Sequence, residues 1–152
     1  MADETQRERL NRNWEELLQE LRVSQTGVQI LTGFLLTVPF SQRFSDLSDL
    51  QVAAYLTALC GGVLSTGFLI APVAFHRVLF RKREKAWLVT AANLCARAGL
   101  VLLALTVSSV VFLVFDLVIG LSAAVASTAI ALAFFTTLWA VVPMSAPKVE
   151  EE

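Results

Sequence analysis

The 152-residue chain is 56% hydrophobic and 16% charged, carries a net charge of −1, and has two cysteines and one histidine. The first two proportions lie outside the usual range of soluble globular domains, so the chain is read as a one-domain membrane protein. So few Cys and His exclude a disulfide framework and a Cys/His metal centre, and Cys60 and Cys95 are expected to be reduced. No nucleophile can be paired with a base, and no Gly-rich phosphate loop precedes a helix, so neither catalysis nor a cofactor is expected.

The chain opens with an amphipathic stretch over residues 1–22. Leu10, Trp14, Leu17, Leu18 and Leu21 fall within about 100° of one another on a helical wheel, with Arg9, Arg12, Glu16 and Glu20 on the remainder. A helix is predicted, with Asp3 and Gln6 spaced as a capping box would be. Its apolar stripe suits either a lipid interface or a protein surface. The acids on its polar face argue against anionic lipid and favour protein packing.

Four uncharged runs follow, at 23–40, 52–75, 98–115 and 121–142. Each is close to the roughly 20 residues that a helix needs to cross about 30 Å of hydrocarbon. The predicted fold is therefore an all-α, four-helix transmembrane bundle over 23–142, preceded by the amphipathic helix and followed by a short tail at 143–152.

The first span is the shortest and most polar. Gln25, Thr26, Gln29, Thr32, Gly33 and Thr37 share a sector of about 140°, opposite Val28, Leu31, Phe34, Leu35 and Val38. Uncharged amides and hydroxyls in a bilayer need partners, because an unsatisfied polar group there costs on the order of several kcal/mol. Two readings stay open for this face: interhelical hydrogen bonding, or a hydrated pathway.

In the second span Thr57, Gly61 and Ser65 repeat every four residues, a close-packing pattern, and Pro72 is expected to kink the helix. His76 and Arg77 close the span as interface residues, with pH sensing by His76 as the functional alternative. Asp116 ends the third span. It reads either as a turn residue or as a cation or proton site tuned by Arg43 from the neighbouring loop. Ser122, Ala126, Ala129, Ala133, Thr136 and Ala140 form a small-residue stripe on the last span. A four-helix bundle buries only some of these faces, which suggests self-association or a partner subunit. Trp87 and Trp139 suit aromatic anchors at the interface.

Orientation follows from the basic residues. Arg7, Arg9, Arg12 and Arg22 precede the first span, and Arg77, Arg81, Lys82, Arg83, Lys85 and Arg97 separate the second from the third. Lys148 follows the fourth, and Arg43 alone lies on the other face. By the positive-inside rule both termini are cytoplasmic. The short basic cluster is explained by topology, so nucleic-acid binding is not expected.

The stretch Glu20-Leu21-Arg22-Val23-Ser24-Gln25-Thr26-Gly27-Val28-Gln29-Ile30-Leu31, with Phe34-Leu35-Leu36 and Pro39-Phe40 after it, resembles the signature of a family of small, mostly actinobacterial four-span membrane proteins of unknown function. Pro72-Val73-Ala74-Phe75-His76-Arg77-Val78-Leu79-Phe80 is similar to that family's second block. The resemblance implies a bacterial plasma membrane, and some members are labelled sodium:proton antiporters. Arg43-Phe44-Ser45-Asp46 is also similar to the Phe-Ser-Asp element of a potassium-channel family, but it falls in a loop rather than in a first helix. The expectation is a self-associating or accessory structural subunit embedded in the lipid bilayer. The alternative is a small oligomeric cation channel or proton-coupled transporter.

Overall fold

The apolar runs fold as helices, in which a single segment satisfies its own backbone groups without water. The computed structural model describes residues 6–79 and 85–145. Helix α1 is Gln6–Thr37, α2 is Asp49–Leu79, α3 is Lys85–Val118 and α4 is Leu121–Thr136. A π-helical turn, Thr137–Val141, continues α4 into Val142–Met144, and 3-10 turns at Val38–Phe40 and Gln42–Asp46 join α1 to α2. Four stretches are long and apolar enough to cross a membrane: Glu15–Phe40, Asp49–Val78, Trp87–Val118 and Leu121–Met144.

Two helices are longer than the hydropathy pattern implies. The amphipathic stretch and the first span are one helix, because the change at Arg22 and Val23 is one of polarity and nothing there breaks the backbone. Pro39 ends α1, since the residue before a proline disfavours helical backbone. Helix α3 starts at Lys85 rather than at 98, so Arg97 lies well inside it. The side chains of Leu10 and Trp14, residue Asp3, the cluster Arg81, Lys82 and Arg83, and the tail from 146 onward lie outside the described residues.

Helix α2 is the centre of the packing. Its buried residues Tyr55, Ala58, Gly62, Ser65, Leu69 and Pro72 recur in steps of three and four, the spacing of a seam between nearly parallel or antiparallel helices. One core cluster joins Leu17, Leu21 and Val28 of α1 to Leu69 of α2 and Ala92 of α3. A second, towards the α1–α2 connection, joins Leu35, Tyr55, Ala58 and Leu113. The helices approach closely at three glycines. A Cβ on Gly61 would lie 2.5 Å from Thr106 Oγ1, one on Gly62 would lie 2.7 Å from Thr32 Oγ1, and one on Gly99 would lie 2.8 Å from Leu69 Cδ2. Beside Gly99, Ser65 Oγ donates to the Gly99 carbonyl at 2.7 Å.

Helix α4 stands apart. It touches α3 and, among the described residues, neither α1 nor α2. The expected four-helix bundle is thus a three-helix bundle with α4 laid against one side of it. The tight turn at 119–120 folds α4 back along α3, on which α2 also packs. Ala124 is its buried residue, whereas Ser122, Ala126, Ala129, Ala133, Thr136 and Ala140 are all exposed. The small-residue seam used for packing is therefore on α2, and the one on α4 faces outward.

Candidate functional site

Helix α1 divides its polar residues between two surroundings. Gln25 turns towards α2, where its Nε2 donates to the Leu69 carbonyl at 2.7 Å. The carbonyl that Pro72 leaves without a helical N–H is that of Phe68, so the Gln25 bond falls one residue along from it and ties α1 to α2. Thr32 also turns inward, pressed against Gly62, and its Oγ1 is buried with no partner among the described residues. Thr26 and Thr37 face outward and close on their own helix, donating to the Arg22 carbonyl at 3.0 Å and the Phe34 carbonyl at 2.7 Å.

Gln29 differs from all of these. It is exposed and makes no hydrogen bond with the described residues. Gln29, Thr32, Gly33 and Leu36 of α1, with Val63 and Thr66 of α2, line a shallow groove of about 250 Å³. The Thr66 hydroxyl is already engaged with the Gly62 carbonyl at 2.9 Å. One free amide thus opens on the groove, and one orphan hydroxyl is buried beneath its floor.

Asp116 finds a partner that the sequence reading did not assign. Gln51 Nε2 donates to Asp116 Oδ2 at 2.8 Å. The same glutamine closes a capping box at the start of α2: its Oε1 accepts from Ser48 N at 3.0 Å, and its own N–H donates to Ser48 Oγ at 3.4 Å. A Ser-x-x-Gln spacing before an apolar run was the signal for Gln51, although nothing local tied it to α3. Arg43 is exposed in the 3-10 turn and forms no ion pair with Asp116 among the described residues. The expected tuning of Asp116 by Arg43 is therefore replaced by a glutamine contact. No group of three His, Cys, Asp or Glu among the described residues is placed to hold a metal ion.

One helical turn further along α2, Tyr55 Oη donates to the Leu35 carbonyl at 2.9 Å. Leu35 is four residues before Pro39, so its carbonyl is the one deprived of a helical N–H by that proline. Phe44 packs edge-on against Tyr55, with ring centroids 5.3 Å apart. Tyr55 was not singled out in the sequence, because its role depends on a carbonyl of another helix.

At the opposite end, His76 and Arg77 occupy the last turn of α2, where positive charge complements the helix dipole. Phe75 packs against Trp87 at 5.9 Å between centroids, joining the end of α2 to the start of α3. Cys60 and Cys95 are free, on separate helices. Arg97 lies beside a larger groove of about 610 Å³ between α3 and α4.

Neither a comparison with curated proteins nor one with solved structures returns a match. A family model does match, over residues 3–143, and so takes in all four apolar helices, the α1 groove and the Asp116–Gln51 contact. The chain therefore belongs to that family, a family of unknown function (DUF6328).

Proposed function

We propose that this protein is a multi-pass plasma-membrane protein that acts as a self-associating or accessory structural subunit, with α1 as the contact helix. The observation that carries the reading is Gln29. It is an exposed amide in an uncharged stretch, without a hydrogen-bond partner among the described residues, beside the buried orphan hydroxyl of Thr32. Facing lipid, the Gln29 amide stays unsatisfied; facing a second helix, it can pair. The outward small residues Ser122, Ala126, Ala129 and Ala133 on α4 give independent support.

Both termini are cytoplasmic in this reading. The support is the concentration of Lys and Arg at the ends that hold the N terminus and the α2–α3 connection, against Arg43 alone on the other face. Accessibility of a cysteine introduced at position 46 to a membrane-impermeant reagent tests it. Labelling from outside intact cells is expected, and protection there with labelling from the cytoplasmic side would reverse the topology.

The assembly reading is tested by light scattering on gently extracted protein. The expected particle holds more than one copy, or a stoichiometric partner, and Gln29→Leu shifts it towards the single chain. A wild-type particle with one copy and no companion would overturn the proposal. The channel or transporter alternative draws on Gln29 and Asp116 together. These lie in separate contacts, the first in the α1–α2 groove and the second on Gln51, so it ranks second. Cation flux into proteoliposomes that falls in both Gln29→Leu and Asp116→Asn would restore it. No catalytic activity is assigned.

A further inference from the structure

We propose that the groove between α3 and α4 is a site for an anionic phospholipid, with the lipid phosphate on the Arg97 guanidinium and an acyl chain against the apolar walls. The inference rests on the reading that these helices cross a bilayer, but not on self-association. The groove has a volume of about 610 Å³, and Arg97 is its one charged lining residue. Leu100, Leu105, Leu132 and Phe135 are among its walls, with Trp139 and Met144 towards the Arg97 end.

Depth argues for a lipid. Between Arg97 and Asp116, α3 has no charge over residues 98–115. At about 1.5 Å per residue that stretch is about 27 Å long, close to the roughly 30 Å of a hydrocarbon core. Arg97 therefore falls at one boundary between hydrocarbon and headgroups if Asp116 falls at the other. Lipid phosphates lie at that boundary, and the groove runs from it into the hydrocarbon as far as Leu105, about 12 Å along the helix.

Charge argues for an anion. Arg97 is exposed and makes no hydrogen bond or ion pair with the described residues. Its planar fork of N–H donors matches phosphate oxygens two at a time, and in a zwitterionic headgroup the lipid's own cation competes for the same phosphate charge. Trp139, tilted at 46° against Phe135 with centroids 4.8 Å apart, places an indole at the same level, where such rings favour the interface. The walls have room because α4 packs on α3 alone and no third helix fills the gap.

The test is native mass spectrometry on the full chain, extracted from carbonate-washed membranes, delipidated, and offered phosphatidylglycerol and phosphatidylcholine in equal amounts. Recovery only after detergent extraction checks the membrane reading separately. Phosphatidylglycerol is expected to be retained in roughly tenfold preference, the loss of that preference in Arg97→Gln corresponding to about 1.4 kcal/mol. Arg97→Lys should keep most of it. Ala140→Phe, in the wall that the end of α4 gives to the groove, should lower retention of both lipids by filling it. Equal retention of the two lipids by wild type, or an undiminished preference in Arg97→Gln, would overturn the proposal. So would lipid retention unchanged in Arg97→Gln with loss of an oligomer mass, which would assign the groove to a second copy.

Discussion

Three prolines lie inside or beside apolar helices, and each removes a backbone donor that lipid cannot replace. The chain answers two of them. Tyr55 donates to the carbonyl orphaned by Pro39, and α4 widens to a π turn ahead of Pro143. In that last turn the Val142 N–H reaches back to the Thr137 carbonyl, and Pro143 offers no N–H to Trp139. The first answer makes a sharp prediction. Tyr55→Phe should cost about 1–2 kcal/mol, because it strands a buried carbonyl rather than exchanging it for water. In a Pro39→Ala background an N–H returns to position 39, so the same substitution should cost less. Thermal-aggregation midpoints of the four proteins in detergent check the coupling, and equal losses in both backgrounds would refute it.

Thr32 is the converse case, a buried hydroxyl with no partner. Thr32→Val keeps its shape, so the fold should be unharmed or stabilised by up to about 1 kcal/mol. Because that hydroxyl is buried against Gly62, the same change should leave the particle mass as in wild type, in contrast to Gln29→Leu. Measuring the melting midpoint and the particle mass on one preparation checks both expectations.

At the scale of elements, two local devices fix the connections. Gly120 has φ 122, its N–H and that of Ile119 both return to the Phe115 carbonyl, and the chain reverses there into α4. Gly120→Ala should cost on the order of 1–3 kcal/mol, although no atom would obstruct the new Cβ, because the strain lies in the backbone itself. Loss of midpoint stability without a change in helical content by circular dichroism is the expected signature. Gln51 carries two duties, capping α2 and holding Asp116. Gln51→Glu keeps the cap acceptor but sets a second carboxylate against Asp116. It should therefore destabilise by about 1 kcal/mol, and Asp116→Asn in the same chain should recover most of the loss by restoring a donor to the pair. Equal midpoints for Gln51→Glu with and without Asp116→Asn would show that the contact is not formed.

These elements also show what could be read beforehand. The capping-box spacing at Ser48 and Gln51 and the helix stop at Pro39 are local signals, available to anyone reading the chain. The partnership of Gln51 with Asp116 joins residues 65 positions apart, and no local pattern carries it. The polarity change at 22–23 is not a break in the helix, for a related reason. Hydropathy reports where polarity changes, whereas a helix continues until its backbone is interrupted.

For the whole molecule, the arrangement is a three-helix bundle with an outlying fourth helix, and its consequences are two exposed surfaces of different chemistry. The α1 groove offers an amide, and the α3–α4 groove offers apolar walls with one guanidinium. The first suits another protein helix and the second suits a lipid, so Gln29→Leu and Arg97→Gln should act independently. Particle mass should respond to the former and lipid retention to the latter. A common response of both measurements to either variant would mean that the surfaces form one site.

The sequence by itself determined that there are four apolar helices and which face of α1 is polar. Length, hydropathy and the backbone habits of Pro and Gly are properties of short segments. Only the tertiary structure decided which faces are covered: that α2 rather than α4 supplies the small-residue seam, that Asp116 meets Gln51 and not Arg43, and that Arg97 stands at the mouth of a groove. The physical reason is that a leucine or alanine is equally at home against lipid and against another helix. Without a hydrophobic contrast between the two, periodicity in an apolar helix does not say which side faces inward, and that choice falls to close approach at Gly61, Gly62 and Gly99 and to hydrogen bonds between helices.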